Sequence, residues 1–354
     1  MKHDIRKQTS TQIADWLKTQ NEPSFRTKQI QEWLWKKSAT EFAAMSNLSK
    51  PLREKLETEF EIRPLTVATR QISSDGTVKS SFRLHDGNLV EGVLIPSVRT
   101  DDQDRNVGPR MTACVSSQVG CSLTCTFCAT GYMERKRNLD AAEIYDQVVL
   151  INRQADEHFG SPLTNIVYMG MGEPLLNYKN VLESVQKITS PDGLGMSPKR
   201  ITVSTAGIAK MIKQLGDDEV KFNLALSLHA ANEQKRNQIM PINETNSLVN
   251  LAEALTYFYK KTGTRVTFEY IVFYNFNDTA QDAQELYEFT KHVPAKVNII
   301  EYNPIAEADF KNTDPQTLDK FAGYLDSRGV IVNVRRSRGK DIDAACGQLA
   351  GKTA

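Results

Sequence analysis

Three cysteines, Cys121, Cys125 and Cys128, follow one another in a C-x3-C-x2-C run. Thiolates are the usual ligands of iron–sulfur clusters, and a 4Fe–4S cube presents four irons to its ligands. Three cysteines therefore leave one iron open to bind a small molecule. The spacing predicts a cluster whose open iron is a site of chemistry.

Structural zinc is the competing interpretation of the same run. Zinc takes four protein ligands in a tetrahedron, and a fourth ligand is not at hand. The nearest histidines, His85 and His158, lie far from the run along the chain, and neither has the short spacing of a zinc knuckle. The open-iron cluster is thus favoured over zinc.

The composition is that of an ordinary globular protein. The chain has 354 residues, of which 40% are hydrophobic, which gives room for one large α/β domain and a smaller appendage. Five cysteines, three of them bunched, favour reduced thiols over a disulfide scaffold. No apolar run approaches a membrane span, and the first residues lack a secretory signal. We therefore expect a cytoplasmic protein without a membrane partner.

The overall charge does not by itself indicate a nucleic-acid partner, because the net charge is only +1. Two short basic runs are present, however. Residues 331–340 hold four basic side chains and no acid, and residues 135–137 follow directly after the cysteine run. Such runs are more often solvated faces than binding sites, so the charge pattern leaves RNA binding open.

The first 60 residues have helical periodicity. Apolar side chains recur at helical spacing in three stretches, which Leu17, Leu34 and Leu56 mark. These stretches predict a small helical domain. Trp33 lies on the apolar stripe of the second stretch, whereas Trp35 lies off it and stays open as a stacking contact for nucleic-acid bases.

The middle of the chain turns from extended to alternating structure. Residues 64–96 read as β-strands, with hairpin signals at Asp75-Gly76 and Asp86-Gly87. Residues 97–109 are polar and predict a flexible loop. From residue 110 onward, strands alternate with helices, as in βα units around a parallel sheet. Six strands are expected, at residues 111–115, 165–169, 200–204, 222–228, 266–273 and 297–302, followed by an extended piece at 330–334.

The loops after these strands hold the unusual residues. Ligands of β/α barrels bind at the carboxyl ends of the strands. The cysteine run follows the first strand, and Gly172 and Glu173 follow the second. Ser204 ends the third strand, and Ser227 and His229 lie at the end of the fourth. The pattern predicts a ligand site at this edge of the sheet.

These stretches together resemble the radical S-adenosylmethionine (SAM) enzymes, and among them the adenine-C2 RNA methyltransferases of the RlmN type. The resemblance covers nearly the whole chain. Besides the cysteine run, it rests on CVSSQVGC at 114–121, GMGEPLLN at 170–177, MPIN at 240–243 and DIDAACGQL at 341–349. The cysteine run alone would indicate only the superfamily, whereas the whole set is specific.

The resemblance implies an α/β fold, an incomplete (β/α)6 radical SAM barrel with a small N-terminal helical domain. The implied division has an RNA-contacting helical domain at 1–62 and a β-hairpin extension with its flexible loop at 63–109. The barrel takes residues 110–338, and a C-terminal tail at 339–354 carries Cys346.

The resemblance also implies the cofactors and their contacts. A 4Fe–4S cluster is implied on Cys121, Cys125 and Cys128, with SAM on its open iron and two SAM molecules used per turnover. Gly172 and Glu173 are implied to hold the SAM amino group, and a glycine there lets the chain approach the ligand closely. The remaining SAM contacts are implied at Ser204, Ser227, Leu228, His229 and Asn303.

The other two cysteines are implied to carry out the transfer. Adenine C2 is electrophilic and cannot attack the SAM methyl group, so in the family the methyl is first placed on Cys346. A 5′-deoxyadenosyl radical from a second SAM takes hydrogen from it, and the methylene radical adds to C2. Glu91 is implied to remove the C2 proton. Cys114 then attacks the Cys346 sulfur, which forms a disulfide and releases the base.

The implied substrates are 23S rRNA and tRNA, with the adenine in a loop or flipped out. An external electron donor such as flavodoxin or ferredoxin is implied, and we expect a monomer. Pro174 favours the C2 type over the sister type that methylates C8 of the same rRNA adenine and confers antibiotic resistance. Two other rivals are a non-catalytic, metal-stabilised RNA-binding module and a radical SAM enzyme acting on a peptide, which would not need Cys346.

Overall fold

The computed structural model of the protein describes residues 2–97 and 109–350. Its N-terminal part is helical, and two short parallel strands pair at its base, β1 (His3–Asp4) and β2 (Phe60–Glu61). Side chains cap the N-termini of two of its helices. Thr9 and Gln12 form a capping box at the helix that begins at Ser10, and Ser49 caps the helix that begins at Lys50. The helices between the strands are α1 (Ser10–Thr19), α2 (Arg26–Gln31) and α3 (Lys50–Glu59).

A π-helical turn, Glu32–Lys36, continues α2 and shifts the phase of its side chains. Trp35 is buried as a result, and its ring packs edge-on against Tyr145. The hypothesis that Trp35 stacks on nucleic-acid bases is therefore wrong, because the side chain is buried, with the Lys187 ammonium over its ring. Trp33 is instead partly exposed, with the Lys37 ammonium 3.9 Å from its ring centroid.

Three antiparallel strands follow, and the two hairpins predicted from the sequence are confirmed. Gly76 and Gly87 take positive φ angles of 84° and 81° at the two turns, a conformation in which glycine avoids the Cβ penalty. Of the expected flexible loop, residues 98–108 lie outside the described part of the chain. The strands are β3 (Thr66–Ile72), β4 (Val78–Arg83) and β5 (Leu89–Ser97).

The alternating part begins with β6 (Arg110–Cys114). A short antiparallel pair then lies in the loop after it, formed by β7 (Gln118–Val119) and β8 (Arg137–Asn138). The later strands are β9 (Asn165–Tyr168), β10 (Ile201–Thr205), β11 (Asn223–Ser227), β12 (Val266–Val272), β13 (Ala295–Glu301) and β14 (Ile331–Arg335). The accompanying helices are α4 (Ala141–Phe159), α5 (Tyr178–Thr189), α6 (Ala209–Asp217), α7 (Glu233–Ile239), α8 (Leu248–Thr262), α9 (Ala280–Thr290) and α10 (Pro315–Asp326).

Within residues 2–97 and 109–350, one sheet takes ten strands in the order β14-β13-β12-β11-β10-β9-β6-β5-β4-β3. Strand β6 joins the two halves, because it pairs antiparallel with β5 and parallel with β9. The barrel stays open between β14 and β3, which confirms the incomplete barrel. The expected extended piece is β14, a seventh parallel strand. Its side chains are mostly exposed, so it lacks the apolar run of a central strand.

The helical N-terminal part is anchored to α4 by a buried guanidinium. Arg6 forms ion pairs with Asp4 at 3.1 Å and with Asp146 of α4 at 2.9 Å. It also donates a hydrogen bond to the carbonyl of Arg63 at 2.7 Å. Since removing one partner of a buried ion pair costs about 3–5 kcal/mol, this contact holds the two parts together firmly. Among the described residues, no helix has both the length and the apolar composition of a membrane span.

Candidate active site

A cavity lies at the carboxyl ends of the parallel strands, as the sequence predicts. Its walls come from the loop after β6, from the loops after β9, β10 and β11, and from the C-terminal tail. The predicted site residues that line it are Cys121, Cys125, Cys128, Gly172, Glu173, Ser204, Ser227, His229 and Cys346. The tertiary structure thus brings side chains from five segments of the chain into one cavity.

The three cysteines of the run line one side of this cavity. In residues 2–97 and 109–350, no three His, Cys, Asp or Glu side chains are gathered closely enough to hold a single metal ion. Burial raises the pKa of Cys121 to about 11 and raises those of Cys125 and Cys128. Iron–thiolate bonds must therefore release these protons.

Glu173 is a buried carboxylate that could form an ion pair with a cationic group of a ligand. Its two oxygens accept hydrogen bonds from the backbone N–H groups of Leu175 at 2.9 Å and Ala206 at 2.8 Å. Burial raises the pKa of Glu173, and these hydrogen bonds oppose the rise. Within the described residues it has no ion-pair partner, so an ammonium group from a ligand would offset its desolvation.

Gly172 shapes the backbone beside that carboxylate. Its φ angle is +91°, and a Cβ atom there would lie 2.4 Å from Cβ of Gln118. The side-chain oxygen of Gln118 in turn accepts a hydrogen bond from the backbone N–H of Glu173 at 2.8 Å. Only glycine fits this turn without strain, and the close packing fixes where Glu173 points.

Two hydroxyl groups complete the polar wall. The hydroxyls of Ser204 and Ser227 lie 3.3 Å apart, on neighbouring strands. The other two predicted SAM contacts, Asn303 and Leu228, do not line the cavity. Asn303 donates a hydrogen bond to the carbonyl of Cys346 at 3.1 Å, and its side-chain oxygen is buried without a partner among the described residues. The side chain of Leu228 is fully buried in the core.

His229 is held as a neutral ring. Burial and the charge of Arg236 lower its pKa to about 3. Its Nδ1 accepts a hydrogen bond from the N–H of Ile271 at 3.1 Å, so the proton resides on Nε2. Its φ of +54° is strained for a non-glycine residue, and Phe127 packs edge-on against the ring. The imidazole therefore offers one fixed N–H donor to the cavity.

Cys346 lies between this cavity and a second, smaller one, and it lines both. Cys114 lines the second cavity, as does Arg335. Burial, together with the charge of a nearby Cys346 thiolate, raises the pKa of Cys114 to about 12, and the positive charge of Arg335 opposes this rise. Arg335 is held by Glu269, whose carboxylate is 3.5 Å away. The two thiols thus face one space beside a cation.

Glu91 lies on the same sheet face as Cys114. Glu91 and Val93 share one face of β5, and Val93 pairs directly with Cys114 of β6. On the other side, Val93 pairs with Lys79 of β4. The Lys79 ammonium is 3.2 Å from Oε1 of Glu91, in a pair whose side chains are 10% and 2% exposed. Glu91 is therefore paired with Lys79 on the sheet face that also carries Cys114.

The tail that carries Cys346 is tied to distant parts of the fold. Asp341 accepts a hydrogen bond from the hydroxyl of Ser73, at the first hairpin turn, at 2.6 Å. Further along, the carbonyl of Gly347 accepts from the N–H of Ala129, in the cysteine loop, at 2.7 Å. These contacts hold Cys346 beside the cluster loop.

Comparison with known proteins agrees with this geometry. Residues 4–62 match the ribosomal RNA large subunit methyltransferase N-terminal domain, and residues 115–290 match the radical SAM superfamily. The chain is 63% identical to a probable dual-specificity RNA methyltransferase RlmN of Cytophaga hutchinsonii, over 98% of this chain and 93% of that one. The chain is also 54% identical to the protein of the same name from Christiangramia forsetii, over 100% of this chain and 97% of that one.

The chain belongs to the RlmN family of radical SAM methyltransferases. A crystal structure of a radical SAM methyltransferase from Sphaerobacter thermophilus superimposes with a TM-score of 0.90, at 38% identity, and covers 99% of this chain and 100% of that one. Membership brings a 4Fe–4S cluster and SAM as cofactors. The donor set described above fits both, because three thiols and a carboxylate with an unbalanced charge share the cavity.

Two residues of this methyltransferase site were missed in the sequence. Arg236 is fully buried and donates to the carbonyls of Ala206 and Leu228, at 2.6 and 3.1 Å, so it ties together the ends of β10 and β11. The MPIN motif at 240–243 could have indicated Arg236, because the side-chain oxygen of its Asn243 accepts a hydrogen bond from the Arg236 guanidinium at 2.5 Å. Lys79 was missed because its role depends on strand register.

The transfer disulfide predicted between Cys114 and Cys346 is not formed in the structure. Both residues are free thiols, as are the three cysteines of the cluster run. The prediction of a disulfide bond is therefore not supported by the structure.

Proposed function

We propose that this protein methylates C2 of adenine in RNA, with 23S rRNA and tRNA as substrates, by way of Cys346 and Cys114. The observation that carries the proposal is the shared cavity of these two thiols, directly beside the cavity of the cluster thiols. The Cytophaga hutchinsonii relative is named as a probable dual-specificity RNA methyltransferase, which supports two RNA classes as substrates. Pro174 supports C2 rather than C8.

Different residues hold the cluster and bind SAM. Cys121, Cys125 and Cys128 hold the cluster, and Gly172 and Glu173 hold the amino group of SAM. The remaining SAM contacts are Ser204, Ser227, Leu228, His229 and Asn303. When bound, the cluster supplies the electron that cleaves SAM to a 5′-deoxyadenosyl radical.

The transfer itself uses three side chains. The Cys346 sulfur takes the methyl group of one SAM by displacement, which releases S-adenosylhomocysteine. The 5′-deoxyadenosyl radical from a second SAM takes one hydrogen atom from that methyl group, and the remaining carbon radical bonds to C2 of adenine. Glu91 takes the proton from C2, a task for which its ionised form is required, and the unpaired electron of the adduct would return to the cluster. The Cys114 thiolate then attacks the Cys346 sulfur and breaks its bond to the transferred carbon, so the methylated base leaves, takes up a proton at that carbon, and a disulfide remains. An external reductant then reopens the disulfide.

We further propose the cellular setting. The helical domain, residues 1–62, contacts the RNA, the barrel at 110–338 holds the cofactors, and the tail from 339 delivers Cys346. The hairpin extension at 63–109 delivers Glu91. A flavodoxin or ferredoxin supplies electrons to a monomeric, cytoplasmic enzyme.

The test separates the two cysteines. Cys114→Ala should still accept the methyl group and add it to the base, but it has no thiol with which to release the adduct. Protein covalently bound to RNA should accumulate, visible as a denaturant-resistant band that nuclease collapses. Cys346→Ala and the double variant should show no band. Normal turnover by Cys114→Ala would refute the two-cysteine assignment.

The position of methylation is read from the product. Nucleosides from RNA treated with the wild-type holoenzyme should contain 2-methyladenosine by mass spectrometry against synthetic standards. 8-Methyladenosine in its place would assign the protein to the C8 type and refute C2 specificity. Unmodified RNA together with SAM cleavage would refute RNA as the substrate.

A further inference from the structure

A polar cleft of about 410 Å³ lies where the N-terminal helices meet the end of α5. The N-terminal side contributes Thr27 and Lys28, and the side of α5 and its following turn contributes Lys187, Ser190 and Asp192. None of these residues belongs to the cofactor cavities described above. The cleft therefore requires an explanation of its own.

Two of the residues that line this cleft have a buried hydrogen-bonding group without a protein partner. The indole N–H of Trp35 and the hydroxyl of Thr27 form no hydrogen bond with any described residue. Trp35 is only 3% exposed and also lines the cleft. Leaving a buried donor unpaired costs about 1–3 kcal/mol, and the great majority of such groups in native proteins are paired. The indole N–H is a donor only, so its missing partner is an acceptor.

A lysine without a counter-ion completes the wall. The Lys187 ammonium lies 4.6 Å from the ring centroid of Trp35 and forms no salt bridge with the described residues. Burial lowers the pKa of Lys187, and the charge of Glu183 on the same helix opposes this only in part. An anion in the cleft would stabilise the ammonium that burial disfavours.

We propose that this cleft binds a phosphate group, through the Lys187 ammonium, the Trp35 N–H and the Thr27 hydroxyl. Phosphate oxygens accept from all three donors, and lysine binds phosphate as a point charge. Two lysines and one aspartate give the cleft a net charge of +1. That charge matches the single negative charge of a phosphodiester, as in an RNA backbone. Free phosphate shares this chemistry and is the alternative source.

The first arm of the test uses inorganic phosphate with the full-length holoenzyme. Titration should shift the Trp35 indole N–H resonance in a saturable way, and Trp35→Phe assigns that resonance by its loss. Lys187→Gln and Thr27→Val should each weaken phosphate binding about tenfold or more. The matched control, Lys50→Gln, removes an 80% exposed lysine of α3 and should leave phosphate binding unchanged. Thermal unfolding of each variant confirms that it is folded.

The second arm distinguishes the sources and rests on the proposed RNA substrate. If an RNA phosphodiester occupies the cleft, Lys187→Gln should reduce the slope of log K for RNA binding against log salt by about 0.7 to 0.9. An unchanged slope with lost phosphate binding would identify free phosphate as the occupant. The proposal is overturned if phosphate leaves the indole resonance unmoved and Lys187→Gln alters neither measurement. Because the Cys114→Ala adduct needs no cleft residue, that result would leave the proposed function standing.

Discussion

Replacing Lys79 by methionine should expose how much the fold depends on its ion pair with Glu91. In the native protein Glu91 Oε1 lies 3.2 Å from the Lys79 ammonium, and Oε2 accepts a hydrogen bond from the N–H of Ala350 at 2.9 Å. The methionine side chain is similar in length and carries no charge. Lys79→Met therefore leaves a buried carboxylate with one neutral donor.

The expected loss follows from that arrangement. Breaking a buried ion pair by removing one partner costs about 3–5 kcal/mol, whereas replacing both partners with neutral groups of similar shape is often close to neutral. Lys79→Met should thus lower the free energy of unfolding by about 3–5 kcal/mol. Adding Glu91→Gln to it should restore most of the loss, because the unpaired charge is gone.

Chemical denaturation of the wild type, both single variants and the double variant measures the coupling directly. Lys199→Met, a change at an exposed lysine, is the control and should alter stability by no more than about 0.5 kcal/mol. A Lys79→Met loss below about 1 kcal/mol would refute the reasoning, as would a double variant as unstable as Lys79→Met alone. Either result would mean that the ion pair between Lys79 and Glu91 does not stabilise the folded state as argued.

Three further outcomes are expected. SAM affinity of the holoenzyme should fall on acidification, beginning above the ordinary carboxyl range because burial raises the pKa of Glu173. Glu173→Gln should bind SAM weakly and without this pH dependence, and equilibrium dialysis at several pH values tests both. Arg236→Met should lower the free energy of unfolding by about 3–5 kcal/mol, since the carbonyls it binds at two strand ends lose a charged donor. Denaturation measures this loss, and an unchanged midpoint would contradict it. Release of the methylated base should accelerate with rising pH, because the Cys114 thiolate attacks and its pKa is raised to about 12. Arg335→Met should slow that release in a single-turnover assay, and an unaltered rate would leave Arg335 without this role.

Local sequence patterns predicted most elements of the fold. The expected strand at 165–169 is observed as Asn165–Tyr168, and the expected strand at 222–228 as Asn223–Ser227. Trp35 shows where local patterns fail. The π-helical turn shifts which tryptophan faces the core. A period of 3.6 residues does not reveal such a turn.

The chemistry of the cofactor site is encoded in contiguous motifs. The cysteine run, Gly172 and Glu173 each lie at the carboxyl end of a parallel strand, so the strand pattern alone predicts that they meet. The residue types then limit the site to soft thiolate ligation and to a cation-binding carboxylate. Sequence by itself therefore determined the cofactor class.

Only the tertiary structure decided how the transfer residues are arranged. Lys79 and Glu91 become diagonal neighbours through the register of β4 and β5, and a shift by one residue would turn each to the opposite face. Cys346 reaches Cys114 because the tail is tied to the first hairpin turn and to the cysteine loop. These contacts join segments more than 200 residues apart in the chain, as with Ser73 and Asp341 at a separation of 268. No local pattern specifies such pairings, because the packing of the whole sheet sets them.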